Sequence, residues 1–338
     1  MMHRPLPLGK LPQDILERLL KRYGSADDRV VVGPGIGEDA AVIDFGDRYL
    51  VVKTDPITFA TDEIGWYAIH ITANDIAAMG ATPKWFLATL LLPEGSADEA
   101  LAEGIFASIH QAAEEVGVAV CGGHTEITHG IARPIVVGQM LGEVDKDRLV
   151  RSSGVRVGDS VLLTKALGIE ATAILGRERG EELAAQYGQA FVERCRNYLY
   201  KPGISVLAEA KAACGAARVH AMHDPTEGGV ATGLRELAFA SGVGLEVDGA
   251  PLHVPAEAQT LCQYFGMAPL GVISSGALLI ATAPEDTAKV KAAVERAGVR
   301  CDVIASARKE AFGLKLITDR GLVDLPLFER DEIARVLE

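Results

Sequence analysis

Five short junctions rich in glycine and carboxylate hold the residue types that could do chemistry in this chain. They are Gly35-Ile36-Gly37-Glu38-Asp39, Thr54-Asp55-Pro56, Asn74-Asp75, Gly122-Gly123-His124-Thr125-Glu126 and Asp224-Pro225-Thr226-Glu227-Gly228-Gly229. Glycines let backbone N–H groups approach an anion closely, and carboxylate oxygens are ligands that Mg²⁺ prefers. Together the junctions predict a site for a metal-bound polyphosphate.

The first junction places two glycines before two acids at the entrance to a predicted strand. Gly35 and Gly37 could present amide donors to a phosphate, and Glu38 and Asp39 could supply oxygen ligands to its metal. Glycines before a strand are often just a turn, so this motif alone leaves both interpretations open.

The second and third junctions supply further carboxylates. Asp55 ends an apolar strand, a position where acids emerge into clefts, although an Asx turn before Pro56 is a strong alternative. Asn74 and Asp75 lie in the apolar pattern 68–79, which leaves little room for a polar outer face. Because a buried Asp needs a partner or a metal, a functional role is favoured for Asp75.

The fourth junction follows a predicted strand. A hydroxyl and a carboxylate beside bare backbone suit metal-phosphate contact or proton transfer, although the two glycines could form a bend and His124 could be an ordinary loop histidine. Cys121 precedes the junction and could be a nucleophile, but a cysteine at a strand end more often packs.

The fifth junction lies between a predicted strand and a predicted helix. Gly228 and Gly229 would then be at the positive N-terminus of the helix, where an anion is favoured, and Thr226 could also cap that helix. Lys165, after strand 161–163, is a candidate cation for a phosphate and is equally well explained as a surface lysine.

The overall composition fits a globular protein with an acidic surface. The 338 residues are 49% hydrophobic and 23% charged, with a formal net charge of −13, which disfavours binding to nucleic acid or to acidic membranes. The five cysteines are widely spaced and form no C-x-x-C pair, so neither a disulfide framework nor a zinc cluster is indicated. With no signal-peptide pattern and no run of about 18 apolar residues, we expect a cytoplasmic protein.

The periodicity predicts an α+β fold in two domains, positioning the junctions at the ends of strands and helices. We predict an N-terminal extension with a helix (1–34), a first domain (35–150), a second domain (151–310) and a C-terminal tail (311–338). The first part should contain helices 11–20, 63–79 and 99–116, a hairpin of strands 40–44 and 49–54, and strands 85–92, 118–121 and 135–144. The second should contain a helical segment 168–200, helices 230–240 and 285–297, and strands 161–164, 219–222, 244–247 and 277–281.

From about Gly33 to Ala307, these motifs in this order resemble the aminoimidazole ribonucleotide synthetase-like (PurM-like) superfamily. That superfamily includes thiamine-monophosphate kinase, selenophosphate synthetase and the hydrogenase maturation factor HypE. The resemblance rests on Gly35-Ile36-Gly37-Glu38-Asp39-Ala40-Ala41-Val42, Thr54-Asp55, Asn74-Asp75-Ile76-Ala77-Ala78-Met79-Gly80-Ala81, Gly122-Gly123, Asp224-Pro225-Thr226-Glu227-Gly228-Gly229 and Ser275-Gly276. The Asp-Pro-Thr-x-Gly-Gly and Ser-Ser-Gly-Ala segments make the chain most similar to HypE-type proteins.

The resemblance implies a homodimer whose N-terminal halves form a central β-barrel, with α/β C-terminal halves outside. It implies ATP and Mg²⁺, with Asp39, Asp55 and Asp75 as metal ligands and the loop from Gly35 to Glu38 as a phosphate lid. We therefore expect an ATP-dependent phosphotransferase or synthetase with a small-molecule acceptor; the alternative is a nucleotide-binding assembly protein that partners a hydrogenase-maturation complex without turnover. We expect His124, Glu126 and Asp224 to be catalytic, and the following residues to contact the nucleotide: Gly35, Gly37, Glu38, Asn74, Gly122, Gly123, Thr125, Lys165, Thr226, Gly228 and Gly229.

The chain departs from the HypE pattern in two places. HypE carries a thiocarboxamide on a terminal cysteine, whereas the last cysteine of this sequence is Cys301 and its last residue is Glu338. The segment from Gly122 to Glu126 has His124 and Glu126 in place of a Gly-Asp-Thr-Lys form.

We therefore expect that the chain carries no carbamoyl group on its C-terminus, because thiocarboxamide chemistry requires a thiolate. Incubation with a carbamoyltransferase partner and carbamoyl phosphate, followed by intact-mass measurement, checks this expectation. A stable, ATP-sensitive adduct on a cysteine would contradict it.

Overall fold

A computed structural model of the chain describes residues 6, 11–24, 27–35, 37–58 and 62–337. Ile36, in the first glycine junction, lies outside the described residues. The contacts divide the chain into two compact units. The six-stranded unit comprises Asp28–Gly33 and Asp39–Leu149, and the seven-stranded unit comprises Met1–Asp27, Pro34–Glu38 and Val150–Glu338.

Within the described residues, the six-stranded unit has one sheet in the order β1-β2-β3-β6-β4-β5. Its strands are β1 (Val30–Val32), β2 (Ala41–Asp44), β3 (Arg48–Ile57), β4 (Thr82–Pro93), β5 (Ala119–Thr128) and β6 (Ile135–Asp145). Neighbouring strands are antiparallel except β4 and β5, which are parallel. The hairpin predicted at Gly46-Asp47 is confirmed, because β2 and β3 pair across it.

Helices α2 (Ile64–Ala78) and α3 (Glu99–Val116) cover this sheet. Nearly every residue of α2 is buried, because it contacts β3, β4 and β6 and also packs against α3. Gly142 of β6 makes the close approach possible, since a Cβ there would lie 2.7 Å from the carbonyl oxygen of Thr82 and would overlap Ile76 of α2. The helices predicted at 63–79 and 99–116 are confirmed.

The strand predicted at 118–121 is longer than expected. It continues as β5 to Thr128, so the junction from Gly122 to Glu126 lies inside a strand and not after it. The two glycines do not end the strand, because Gly123, at φ 150°, lies against β4 where a Cβ would overlap the carbonyl oxygen of Ala88. β5 is at the edge of the sheet, and all its residues but the last are exposed.

The seven-stranded unit has, among its described residues, a sheet in the order β13-β12-β9-β11-β7-β10-β8. Its strands are β7 (Ser160–Thr164), β8 (Val219–His223), β9 (Val243–Asp248), β10 (Leu279–Thr282), β11 (Cys301–Lys309), β12 (Leu314–Thr318) and β13 (Gly321–Asp324). Only β9 and β12 pair in parallel in this described sheet.

Helices accompany both faces of this sheet. Val161, Leu163 and Leu279 belong to a core cluster with residues of α8, while Leu162 and Ile280, one residue along each strand, are buried on the opposite face. The described helices that belong to this unit are α1 (Gln13–Tyr23), α4 (Ile169–Glu178), α5 (Gly180–Tyr187), α6 (Gln189–Asn197), α7 (Leu207–Ala216), α8 (Gly229–Ser241), α9 (Ala256–Phe265), α10 (Pro284–Arg296) and α11 (Ala334–Leu337).

Shorter helical turns complete the unit: 3₁₀ turns at Ser152–Gly154, Pro269–Gly271 and Glu310–Phe312, and a π turn at Leu199–Gly203. The segment predicted as helical at 168–200 contains α4, α5 and α6. The predicted α+β class with two domains is therefore confirmed. Of the helices in the described residues, none has both the length and the apolar character needed to cross a lipid bilayer.

Candidate functional site

In the six-stranded unit, the three predicted metal ligands surround one lysine. Lys53 Nζ lies 2.9 Å from Asp75 Oδ1 and 3.3 Å from Asp55 Oδ2. Asp39 is near enough to attract the same ammonium group. The structure therefore brings together acids that come from three separate junctions.

The local folding explains this convergence. Side chains alternate along β3, so Lys53 and Asp55 project from the same face as buried Val51. That face meets α2, which contributes Asp75. Asp39 lies just before β2, and β2 pairs with β3 through Ala41 and Val52.

The charges of the cluster decide its chemistry. Burial opposes a positive charge on Lys53, but attraction to Asp75, Asp55 and Asp39, with the hydrogen bond to Asp75, outweighs that effect and raises the pKa of Lys53. Three carboxylates and one ammonium group leave a formal charge of −2. Oxygen donors of this kind fit Mg²⁺, and the ammonium group shows that a cation is favoured among them.

Lys53 is a functional candidate that the sequence reasoning missed. Its position two residues before Asp55 on one strand is a signal that could have found it, because both side chains must then project from one face. Asn74, which precedes Asp75 on α2, is fully buried.

The glycine loop Pro34–Glu38 is anchored within the seven-stranded unit. Glu38 Oε1 accepts hydrogen bonds from Arg151 Nη2 at 2.8 Å and from Ser153 Oγ at 2.9 Å. Gly37, at φ 80°, lies so close to α8 that a Cβ would be 2.8 Å from the carbonyl oxygen of Glu236. Gly35 is exposed.

The N-terminus of α8 has an intramolecular acid where an anion was predicted. The backbone N–H of Gly228 donates to Asp331 Oδ2 at 2.6 Å, and that of Gly229 donates to the carbonyl oxygen of Thr226 at 3.0 Å. Asp331 is buried, and burial raises its pKa to about 6 although Ile333 and Gly228 donate hydrogen bonds to it. Sequence reasoning missed Asp331, since nothing near residue 228 points to an acid so far along the chain.

Of the other predicted residues of the seven-stranded unit, Asp224 and the Lys165 side chain are buried, and Thr226 is half-buried. Asp224 follows β8, next to His223, whose Nε2 lies 3.0 Å from Glu236 Oε2. Lys165 Nζ lies 2.7 Å from Glu209 Oε1, and this ion pair is buried, so the surface-lysine alternative is wrong. Contact of Lys165 with a phosphate stays a prediction.

The predicted residues on β5 are exposed in the six-stranded unit. His124 Nε2 lies 3.2 Å from Glu126 Oε2, with 67% and 50% of the two side chains exposed. A side-chain contact so open to water is a weak structural restraint. Thr125, Gly122 and Gly123 are exposed on the same strand.

A buried acid of α4 forms a further polar cluster in the seven-stranded unit. Glu170 lies in the first turn of α4, and burial raises its pKa to about 7, even though the neighbouring Ser275 acts to lower it. Asp331 and Glu227 are near enough to raise it further. The buried carboxyl groups of Glu170 and Asp331 are thus both shifted towards the protonated form.

Two domain families match most of the chain. The N-terminal domain of AIR synthase related proteins matches residues 37–144, and the C-terminal domain of the same proteins matches residues 156–315. The chain belongs to the AIR synthase-related family. These matches include every residue predicted for the site except Gly35.

Curated relatives of this AIR synthase-related protein have names from hydrogenase maturation. A protein of Methanocaldococcus jannaschii, provisionally named a hydrogenase expression/formation protein, is 29% identical over 97% of this chain and 97% of its own length. The carbamoyl dehydratase HypE of Azotobacter vinelandii is 30% identical over 83% of this chain and 78% of its own.

Solved structures share the fold of this AIR synthase-related protein at lower identity. A crystal structure of a HypE–HypF complex aligns with TM-score 0.73 and 21% identity, over 92% of this chain and 99% of that chain. AaThiL complexed with AMPPCP and TMP aligns with TM-score 0.70 and 21% identity, over 92% and 96%. HypE in complex with ATP aligns with TM-score 0.68 and 23% identity, over 93% and 94%. The predicted PurM-like fold is confirmed.

The raised pKa of Glu170 predicts that stability falls as the pH rises. Between the ordinary pKa of 4.5 and the folded value of about 7, the folded protein keeps a proton that the unfolded chain has lost. The contribution of Glu170 is fully present below pH 4.5 and is lost as the pH rises through 7, a difference of about 3 kcal/mol. Glu170→Gln should remove this loss.

Melting temperatures of both proteins from pH 4.5 to 8 check this prediction. The advantage of Glu170→Gln over the wild type should grow with pH. Glu285→Gln is the matched control, because Glu285 lies in the first turn of α10 in the same unit but is exposed. A Glu170→Gln advantage that does not change with pH would contradict the assignment.

Proposed function

We propose that the protein is an ATP- and Mg²⁺-dependent phosphotransferase or synthetase that acts on a small-molecule acceptor. The observation that carries the proposal is the convergence of Asp39, Asp55 and Asp75 on a single cation position in the six-stranded unit. Binding of adenine alone would need no cluster of carboxylates, whereas a metal-bound triphosphate does.

Nucleotide complexes with the same fold support this proposal. HypE has been solved with ATP and AaThiL with AMPPCP and TMP. In the proposed role, Asp39, Asp55 and Asp75 hold Mg²⁺, which neutralises phosphate charge. Phosphate contact by the other predicted nucleotide-binding residues, and proton transfer by Asp224, His124 or Glu126, belong to the same proposal.

The cysteines favour a free acceptor over a group carried on a thiol. Burial raises the pKa of Cys195 and Cys301 to about 12 and that of Cys262 to about 11, so these thiols stay protonated at neutral pH. Cys214 is half-buried, and Cys121 is exposed on β5, where its thiol contacts the carbonyl oxygen of Phe86. Cys121 is therefore the exposed candidate in any test of thiol chemistry.

A second candidate function is nucleotide-dependent assembly in hydrogenase maturation. The names of the relatives from Methanocaldococcus jannaschii and Azotobacter vinelandii favour it, and so does the HypE–HypF complex. ADP release separates the two functions. A metabolite that stimulates release by the purified protein supports the leading proposal. Nucleotide-dependent binding to a carbamoyltransferase partner, without ADP release, supports the second.

Asp75→Asn should weaken Mg²⁺-ATP binding by about tenfold without unfolding the protein, because it removes one charged oxygen ligand from the metal. The amide oxygen can still accept the hydrogen bond that Lys53 donates to Asp75. Isothermal titration calorimetry gives the affinity, and the melting temperature reports the fold.

Asp44→Asn is the control for this charge removal. Asp44 lies on β2 of the same sheet, where it pairs with Lys146 at 2.6 Å, and its variant should bind Mg²⁺-ATP like the wild type. Equal affinities for Asp75→Asn and Asp44→Asn would remove Asp75 from the metal site.

We also propose that the protein is a homodimer joined through the six-stranded unit. The exposed edge strand β5 leaves backbone N–H and C=O groups available for pairing and presents the apolar side chains of Val120 and Ile127 to solvent. Light scattering at micromolar concentration should report about twice the 35.7 kDa chain mass.

The double substitution Val120→Lys and Ile127→Lys should convert the dimer to a monomer, because like charges would then meet at the paired edges. Phe239→Lys is the control: Phe239 is also apolar and exposed, but lies on α8. A wild-type monomer, or a dimer that the two β5 substitutions leave intact, would contradict this interface.

A further inference from the structure

Lys53 occupies the position that the proposed metal needs. Its ammonium group contacts Asp75 Oδ1 and Asp55 Oδ2, two of the oxygens from the three carboxylates proposed to hold the ion. An oxygen that faces an ammonium group at about 3 Å cannot at the same time bind Mg²⁺ at about 2 Å without bringing two cations together.

The three acids also need a counter-ion when no metal is bound. Asp75 is buried on α2, and Asp39 is buried beside the start of β2. Without a positive charge among them, carboxylates this close would repel one another strongly in a poorly solvated site. Lys53 supplies that charge from within the chain.

We propose that Lys53 is an internal counter-ion that competes with the divalent cation for Asp39, Asp55 and Asp75. This inference rests on the proposed function, since it takes these acids to be the metal site. Loading of the metal then requires the Lys53 ammonium group to leave Asp75 and Asp55. The Lys53 side chain is 22% exposed and has four rotatable bonds, so its ammonium group can rotate towards solvent.

The competition has a consequence for the metal-free protein. Lys53 keeps the acids together before a metal arrives, and it lowers the affinity of the site, so that only a cation of higher charge displaces it. A purely structural counter-ion would stay in place when metal binds, and a phosphate-binding lysine would strengthen nucleotide binding without opposing the metal. These two roles predict different results for the same variant.

The test compares wild type and Lys53→Met in a titration with Mn²⁺ alone, which oxygen ligands bind much as they bind Mg²⁺. Electron paramagnetic resonance measures the free ion directly and needs no turnover. Lys53→Met should bind Mn²⁺ about tenfold more tightly, because a repelling positive charge is gone. Its melting temperature should fall by about 5 °C in EDTA and recover when Mn²⁺ is added.

Two matched variants serve as controls, one for the positive charge at position 53 and one for the replacement of a lysine by methionine. Lys53→Arg keeps the positive charge and should show no tightening. Lys146→Met removes a lysine of the same unit that pairs with Asp44 at the surface, and it should bind Mn²⁺ like the wild type.

Every other outcome contradicts either the proposed competition or the proposed function. Equal Mn²⁺ affinity in wild type and Lys53→Met overturns the competition while leaving the metal site standing, and so does a Lys53→Met protein that stays unfolded even with Mn²⁺. Weaker ATP binding with unchanged Mn²⁺ affinity assigns Lys53 to phosphate contact and also overturns it. If neither protein binds Mn²⁺ or Mg²⁺-ATP, the proposed function fails first, and the inference fails with it.

Discussion

A carboxylate on a buried helix keeps its negative charge only beside a counter charge, and the six-stranded unit is arranged around that constraint. α2 is buried along almost its whole length, yet it carries Asp75. Lys53 reaches Asp75 because β3 presents Lys53 towards α2 and because Gly142 lets α2 approach the sheet closely. The same arrangement brings Asp55 and Asp39 to the ammonium group, so the metal chemistry proposed here follows from the way one buried charge is balanced.

Much of this arrangement could be predicted from local sequence. α3 has the bounds expected from its apolar period, because Asp98 caps its first turn and Gly117 takes the left-handed conformation after its last residue. Asp75 could be singled out because its apolar neighbours leave no polar face. Lys53 could not be assigned its role in the same way, since that role depends on how β3 and α2 pack together.

Other junctions could not be interpreted correctly from local sequence alone. Gly122 and Gly123 are typical of a loop, but β4 pairs with them and keeps them within a strand. The N-terminus of α8 is typical of an anion site, but the carboxylate of Asp331, 103 residues from Gly228 along the chain, accepts the Gly228 N–H there. Local sequence patterns identify residues that could bind a metal or an anion. Residues distant in sequence decide which groups those residues contact in the folded protein.

The proposed metal ligands and the proposed anion-binding N-terminus of α8 therefore require different rearrangements. In the proposed competition, a metal that enters the acids of the six-stranded unit would only replace one cation, Lys53, by another. A phosphate approaching Gly228 would meet the Asp331 carboxyl group, which already accepts the N–H and whose charge would repel the phosphate. Because the pKa of Asp331 is raised to about 6, protonation is easier there than for an ordinary Asp, but at neutral pH the carboxyl group must still withdraw or take up a proton. Contact of an anion with α8 is thus linked to movement or protonation of Asp331, whereas the proposed metal binding in the six-stranded unit would require movement of one side chain.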